Sequence, residues 1–174
     1  MSLMDKFDIW WLHGPRYTWS RFRRALLEGG FLKKPLPSVN SLEDVKACMI
    51  QVKWKRDLLP ELFDCVSYPH RVWAKKKDDC DGFSVLTAEL LSRCLPETDP
   101  VMVTAMVAPL KNSHSVCAFK LEGNLRYFNN ATLKPELFQS YADIVADFTG
   151  PPNRLICWDV VRPCNLETLE FHIA

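Results

Sequence analysis

The chain has 174 residues, 48% of them hydrophobic, and a formal charge of +1 from 22 basic and 21 acidic side chains. That is enough apolar content for one domain to bury a core without metal or disulfide support, and the mixed charge gives no whole-chain field aimed at nucleic acid or an anionic surface. No apolar run approaches the roughly 18 residues of a membrane span, and Asp5, Lys6 and Asp8 argue against a signal peptide. The seven cysteines are odd in number and lack CxxC pairing or zinc-finger spacing. Reduced thiols in a cytoplasmic setting are therefore expected, with no metal and no cofactor. A single domain is expected over 1–174, with an N-terminal helical, aromatic segment (1–40) and a core (41–174).

Residues 1–34 interleave Phe7, Trp10, Trp11, Trp19 and Phe22 with Arg16, Arg21, Arg23 and Arg24. Such a mixture can stack on bases or lie at a membrane interface. The spacing of Trp19, Phe22 and Leu26, stopped by Gly29-Gly30, predicts instead a short helix with its aromatic face on the core and arginines outward. Neither a nucleic-acid nor a membrane partner is expected from it. Pro35 to Ser38 reads as an extended connector.

Ser41 followed by Asp44 marks a helix start, and Val45, Cys48, Met49 and Val52 form an apolar face that predicts a helix to about Lys55. Residues 57–74, with Pro60 and Pro69, predict a turn-rich passage with one helical turn around Leu62. Asp78 and Asp79 are good N-cap residues. Phe83, Leu86 or Thr87, Leu90 and Cys94 then recur at helical spacing, so a helix is predicted to begin at Cys80. A thiol in a first turn lies beside unpaired N–H groups and the positive end of the helix dipole, both of which favour thiolate. Asp78, Asp79 and Asp81 oppose this, and the lysines at 75–77 are there to offset them.

Val101 to Ala108 is β-prone and apolar on both faces, as in a buried strand. His114 to Phe119 predicts a second strand, turned at Glu122 to Asn124 and returning over Leu125 to Asn130. Pro135 is read as the start of a helix carrying Phe138, Tyr141, Ile144, Val145 and Phe148 to Gly150. Leu155–Val161 and Leu169–Ile173 are read as further strands. Helices early and strands late predict an α+β fold whose helix-start nucleophile packs on an antiparallel sheet. Cys48, Cys94 and Cys117 fall on apolar faces as small core residues, and His13, His70 and His172 lack metal-ligand spacing.

A helix-start Cys, a His heading a strand and an Asn on the next strand define a nucleophile, a base and an orienting amide: Cys80, His114 and either Asn129 or Asn130. A two-residue Gly123-Asn124 turn puts Asn129 on the face of His114, and a three-residue turn selects Asn130. Neither register sets an Asn directly opposite His114, so a bulge or strong twist is expected. For the oxyanion, the Cys80 N–H is a candidate donor, with Gln51, Trp54 and Trp73 as side-chain candidates.

Asp79-Cys80-Asp81-Gly82-Phe83-Ser84 through Leu91, Val101 to Val107, His114-Ser115-Val116 and Tyr127 to Thr132 together resemble the transglutaminase-like superfamily, closest to its bacterial cysteine-peptidase branch. The resemblance covers about residues 66–132 and implies a papain-like core with a Cys-His-Asp triad, mapped onto Cys80, His114 and the Asn pair, acting on a peptide or protein substrate. The chain departs from the pattern in having Asn for Asp, Asp79 where Gly is usual before the Cys, and Val116-Cys117 where an aromatic usually follows the His. Asn can still accept the imidazole N–H but brings no charge to stabilise imidazolium. Asp79 to Phe83 also resembles the Asp-Cys-Ser-Gly motif of NlpC/P60 cell-wall peptidases, which the short Cys-to-His interval fits less well. The resemblance implies amide-bond chemistry through a Cys thioester, or a catalytically inactive binding module of the same fold.

Overall fold

The computed structural model describes residues 1–55 and 65–174, so the helical turn expected around Leu62 lies outside the described residues. The fold is α+β. Its centre is a six-stranded sheet of β3 (Val101–Ala108), β4 (His114–Leu121), β5 (Asn124–Asn129), β6 (Thr132–Leu133), β7 (Arg154–Arg162) and β8 (Glu167–Ile173). They lie side by side in the order β6-β5-β4-β3-β7-β8, each neighbouring pair antiparallel.

Alternation along the strands makes two cores. Met102, Met106, Cys117, Phe119, Phe128, Cys157 and Val161 face helix α5 (Cys80–Cys94), whose Phe83, Leu86, Leu90 and Leu91 are fully or almost fully buried. Val101, Val103, Ala105, Val116, Ala118, Tyr127 and Val160 face the other way, onto Ile144 and Val145 of α6 (Tyr141–Thr149). This two-sided burial is why β3 is apolar at every position but Thr104.

Three boundaries differ from expectation. The helix after Ser41, α3 (Leu42–Met49), ends about six residues early because β1 (Lys53–Trp54) pairs in parallel with β2 (Lys77–Asp78). Helix α6 starts at Tyr141, not Pro135. Ser140 caps it reciprocally with Asp143, while Leu125 and Phe138 exchange backbone hydrogen bonds that hold the preceding segment extended. A further helix, α4 (Pro69–Lys75), replaces part of the expected turn-rich passage.

The largest correction concerns the N-terminus. Helix α1 (Leu3–His13) and helix α2 (Pro15–Arg23), prolonged by a π-helical turn over Arg24–Glu28, are amphipathic in the reverse sense. Trp19, Phe22 and Leu26, expected on the core, are 50%, 54% and 66% exposed, whereas Arg16 and Arg24 are 5% and 3% exposed. Polar groups across the interface decide this orientation. Arg24 donates to the carbonyls of Val66, Ser67 and Pro163 at 2.9, 2.7 and 3.2 Å, and Ser20 Oγ accepts from Val66 N. Glu28 accepts from Tyr68 N at 2.7 Å, and Arg154 binds Asp5 at 2.9 Å. Releasing any of these buried groups without a partner costs about 1–3 kcal/mol, comparable with the apolar gain forgone by one exposed Phe or Leu.

Tyr17 makes the deepest of these contacts, donating its hydroxyl to Asp159 Oδ2 of β7 at 2.8 Å. Burial, opposed by the Tyr17 hydrogen bond and the Arg16 charge, pushes the Asp159 carboxyl from its ordinary 3.8 up to about 8. A pKa raised on folding contributes stability that is complete below 3.8 and is lost as pH rises through about 8. Asp159→Asn keeps an acceptor for Tyr17 and cannot ionise. Urea denaturation at about pH 5 and about pH 9 should therefore show a fall in wild-type stability that is largely flattened in the variant.

Candidate active site

Cys80 is the first residue of α5. Asp79 is the N-cap, its Oδ1 accepting from Asp81 N at 3.2 Å, so the thiol sits in the first turn as the sequence predicts. Gly82 is fixed by packing, since a Cβ there would overlap the Asp78 side chain. Asp78 in turn accepts from Asp79 N at 3.1 Å and from Arg71 Nη1 at 3.2 Å.

Two of the three carboxylates around the thiol, Asp78 and Asp81, are paired with arginines. Arg71 pairs with Asp78, and Arg16, reaching in from α2, forms a buried ion pair with Asp81. The neighbouring lysines are turned to aromatic rings, Lys75 over Phe31 and Lys76 over Trp73. Positive charge held against Asp81 weakens the penalty that this carboxylate would impose on a thiolate one residue away.

His114 opens β4, opposite Ala105 of β3. Its Nε2 lies 2.8 Å from Asn129 Oδ1. An amide oxygen only accepts, so Nε2 carries the proton and Nδ1 is the free base nitrogen. Asn130 takes another role. It occupies the left-handed region (φ 52°) in the two-residue turn between Asn129 and Thr132, where Asn is well tolerated, and its Oδ1 is buried with no hydrogen-bond partner among the described residues.

The β4–β5 turn is Glu122-Gly123, both with positive φ, and Leu121 pairs with Asn124. The ladder therefore sits two residues from the expected register, which preserves the face and keeps Asn129 on the side of His114. It runs without a shift to Cys117↔Phe128. No bulge is needed. Continued by one step the register sets Asn129 opposite Val116, diagonal to His114, and diagonal neighbours at about 7–8 Å are bridged by long side chains.

Cys80 and His114 line one cleft of about 390 Å³ together with Trp11, Arg16, Trp54 and Phe148. Phe148 meets the imidazole edge-on at 5.8 Å between ring centroids. Burial lowers the His114 pKa below its ordinary 6.5, with the Asn129 hydrogen bond and the Asp81 charge opposing. The imidazole is thus neutral at physiological pH, in the form that can accept a proton.

Of the three side-chain oxyanion candidates, Trp54 alone lines this cleft, and it also lines the adjoining one with Phe83, Asn129 and Asn130. Pairing of Trp54 with Asp78 across β1–β2 delivers it there. Gln51 donates its amide to Ala47 O and accepts from Lys76, and Trp73 lies beneath Lys76. Neither lines the cleft. Arg16 and Phe148 escaped sequence reasoning. Nothing in the local pattern separates Arg16 from three other nearby arginines, and Phe148 read as an ordinary apolar-face residue. Among the described residues no group of three or more His, Cys, Asp or Glu is placed to hold a metal ion.

The molecule is thus an α+β fold in which a helix-start thiol and a neutral histidine line one cleft, while an amide lining the adjoining cleft is hydrogen-bonded to that histidine. Its overall arrangement is similar to two solved structures of Legionella pneumophila LapG. That of the EGTA-treated protein gives a TM-score of 0.45 at 14% identity over 82% of this chain and 82% of that one. The other gives 0.44 at 14% identity over 90% of this chain and 86% of that one. No protein-family model and no curated protein matches the sequence.

The His114–Asn129 contact can be tested without any substrate. Asn129→Asp adds a negative charge at 2.8 Å and should raise the His114 pKa by one unit or more, on the order expected for an opposite charge at that range. Asn129→Ala removes the acceptor and should lower it. Histidine C–H NMR titration reads both shifts, and two variants with unchanged titrations would show that Asn129 does not hold the imidazole.

Proposed function

We propose that the chain is a thiol-dependent hydrolase or acyltransferase of the transglutaminase-like kind, acting on amide bonds of a peptide or protein. The observation that carries this reading is the convergence of Cys80 and His114 on one cleft while His114 Nε2 is held by Asn129. In the proposed cycle His114 Nδ1 takes the Cys80 proton, and the sulfur attacks the carbonyl carbon. The oxyanion so formed is met by the Cys80 backbone N–H and the Trp54 indole N–H. His114 then gives its proton to the departing amine, leaving a thioester. Water activated by the same imidazole completes hydrolysis, and an amine in its place completes crosslinking. Because Asn129 supplies no charge and burial disfavours imidazolium, the thiol is activated as it reacts rather than stored as a thiolate–imidazolium pair.

The same absent charge favours a second reading, a catalytically idle cleft that binds a peptide. Turnover separates the two. On a denatured protein substrate, Cys80→Ala should lower amide hydrolysis or amine incorporation by about 10³-fold or more with no change in fold. Wild-type protein lacking both activities while binding peptide in the cleft would establish the idle module.

The pH profile supplies a further check. The base must be neutral, and its pKa lies below 6.5, so the acid limb of kcat/KM should fall below that value and move upward in Asn129→Asp. An acid limb well above 6.5 in wild type would exclude His114, as placed here, as the base.

A further inference from the structure

The reversed amphipathicity of the N-terminal helices leaves a surface that the proposed chemistry does not use. Trp19, Phe22 and Leu26 follow one another at i, i+3 and i+7, with Trp19 and Phe22 stacked at 5.6 Å between centroids. Leu27 and Leu32 continue the stretch, 67% and 49% exposed. Helix α1 presents a second stripe, Leu3, Phe7 and Trp10, the last two rings 5.4 Å apart. None of these aromatic residues lines the clefts described above.

Charge on the same segment is sorted as strictly as its hydrophobicity. All three acidic residues of 1–34, Asp5, Asp8 and Glu28, are buried, at 5%, 3% and 2% exposure. The exposed ionic side chains are Lys6, Arg21, Lys33 and Lys34, all cationic. Outward-facing Trp, Phe and Leu among cations, with every carboxylate withdrawn, complement a surface that is negatively charged outside and apolar beneath.

We propose that residues 3–34 dock on the surface of an anionic lipid bilayer, with Trp19, Phe22, Leu26 and Leu27 entering the headgroup boundary and Lys33 and Lys34 meeting lipid phosphates. Interfacial helices have this composition: Trp, Phe and Leu on the buried face, Lys and Arg toward the headgroups. Here the polar face that such a helix normally gives to water is satisfied by the protein itself, through Arg16, Ser20, Arg24 and Glu28. A protein partner fits less well, since lysines are depleted from protein interfaces. No described helix is long and apolar enough to cross a membrane, so the contact is peripheral.

Co-sedimentation with vesicles tests this directly. The protein should pellet with vesicles containing phosphatidylglycerol, much less with pure phosphatidylcholine, and progressively less as salt rises. Trp19→Ser/Phe22→Ser should weaken binding about tenfold or more, from the apolar area lost, and Lys33→Glu/Lys34→Glu should do so while leaving the aromatic residues in place. Circular dichroism of each variant should match wild type. Absence of pelleting with either vesicle overturns the proposal, as does pelleting that both double variants retain. A wild-type dimer that Trp19→Ser/Phe22→Ser dissociates, without vesicle binding, would assign the surface to a second copy instead.

Discussion

The buried pair between Arg16 and Asp81 ties the rest of the structure together. It joins a helix from the N-terminal segment to the first turn of the helix that carries the thiol, and neither partner has bulk water as an alternative. Breaking such a pair by removing one partner leaves an uncompensated buried charge, at a cost of about 3–5 kcal/mol, whereas the intact pair is worth far less. Its significance is therefore positional. While Arg16 is in place, the Asp81 carboxylate has its counter-charge within the fold, one residue from the thiol of Cys80. The N-terminal segment thus supplies part of the cleft wall, through Trp11 and Arg16.

Around that pair the polar groups divide into two sets with opposite electrostatics. Arg16 with Asp81 and Arg71 with Asp78 form ion pairs behind the thiol. His114 and Asp159 are driven toward neutrality by burial. The site therefore keeps its fixed charges in the wall and its proton-accepting group uncharged in front. Asn129 belongs to this arrangement. It holds the imidazole Nε2–H as a neutral acceptor, without the charge by which a carboxylate would raise the His114 pKa and stabilise imidazolium.

Much of this was legible in the sequence because it is local. The start of α5 follows from Asp79 before Cys80 and a helical apolar period after it, and β3 follows from an unbroken β-prone run between prolines. The side of His114 on which Asn129 lies follows from the strict alternation of a strand, which survived a two-residue error in register because two is the period. The rest was illegible for equally physical reasons. The orientation of α2 is set by carbonyls of residues 65–67 and by β7, distant partners that outweigh the apolar stripe the helix displays. The true ends of α3 and α6 depend on a two-residue strand pair and on an extended contact with β5, neither of which leaves a periodic trace. Trp54 looked no different from Gln51 or Trp73 until the β1–β2 pairing placed it against Asp78.

The contacts that fix the N-terminal segment are also long in sequence. Arg16 meets a residue 65 positions away, Tyr17 one 142 away and Asp5 one 149 away. Contacts so distant in sequence close large loops, and topologies rich in them fold slowly. Without Arg16 the thiol helix would lack the guanidinium that compensates Asp81 in its first turn. The surroundings of Cys80 are therefore a property of the assembled fold, built from segments far apart in sequence, rather than of the helix that carries it.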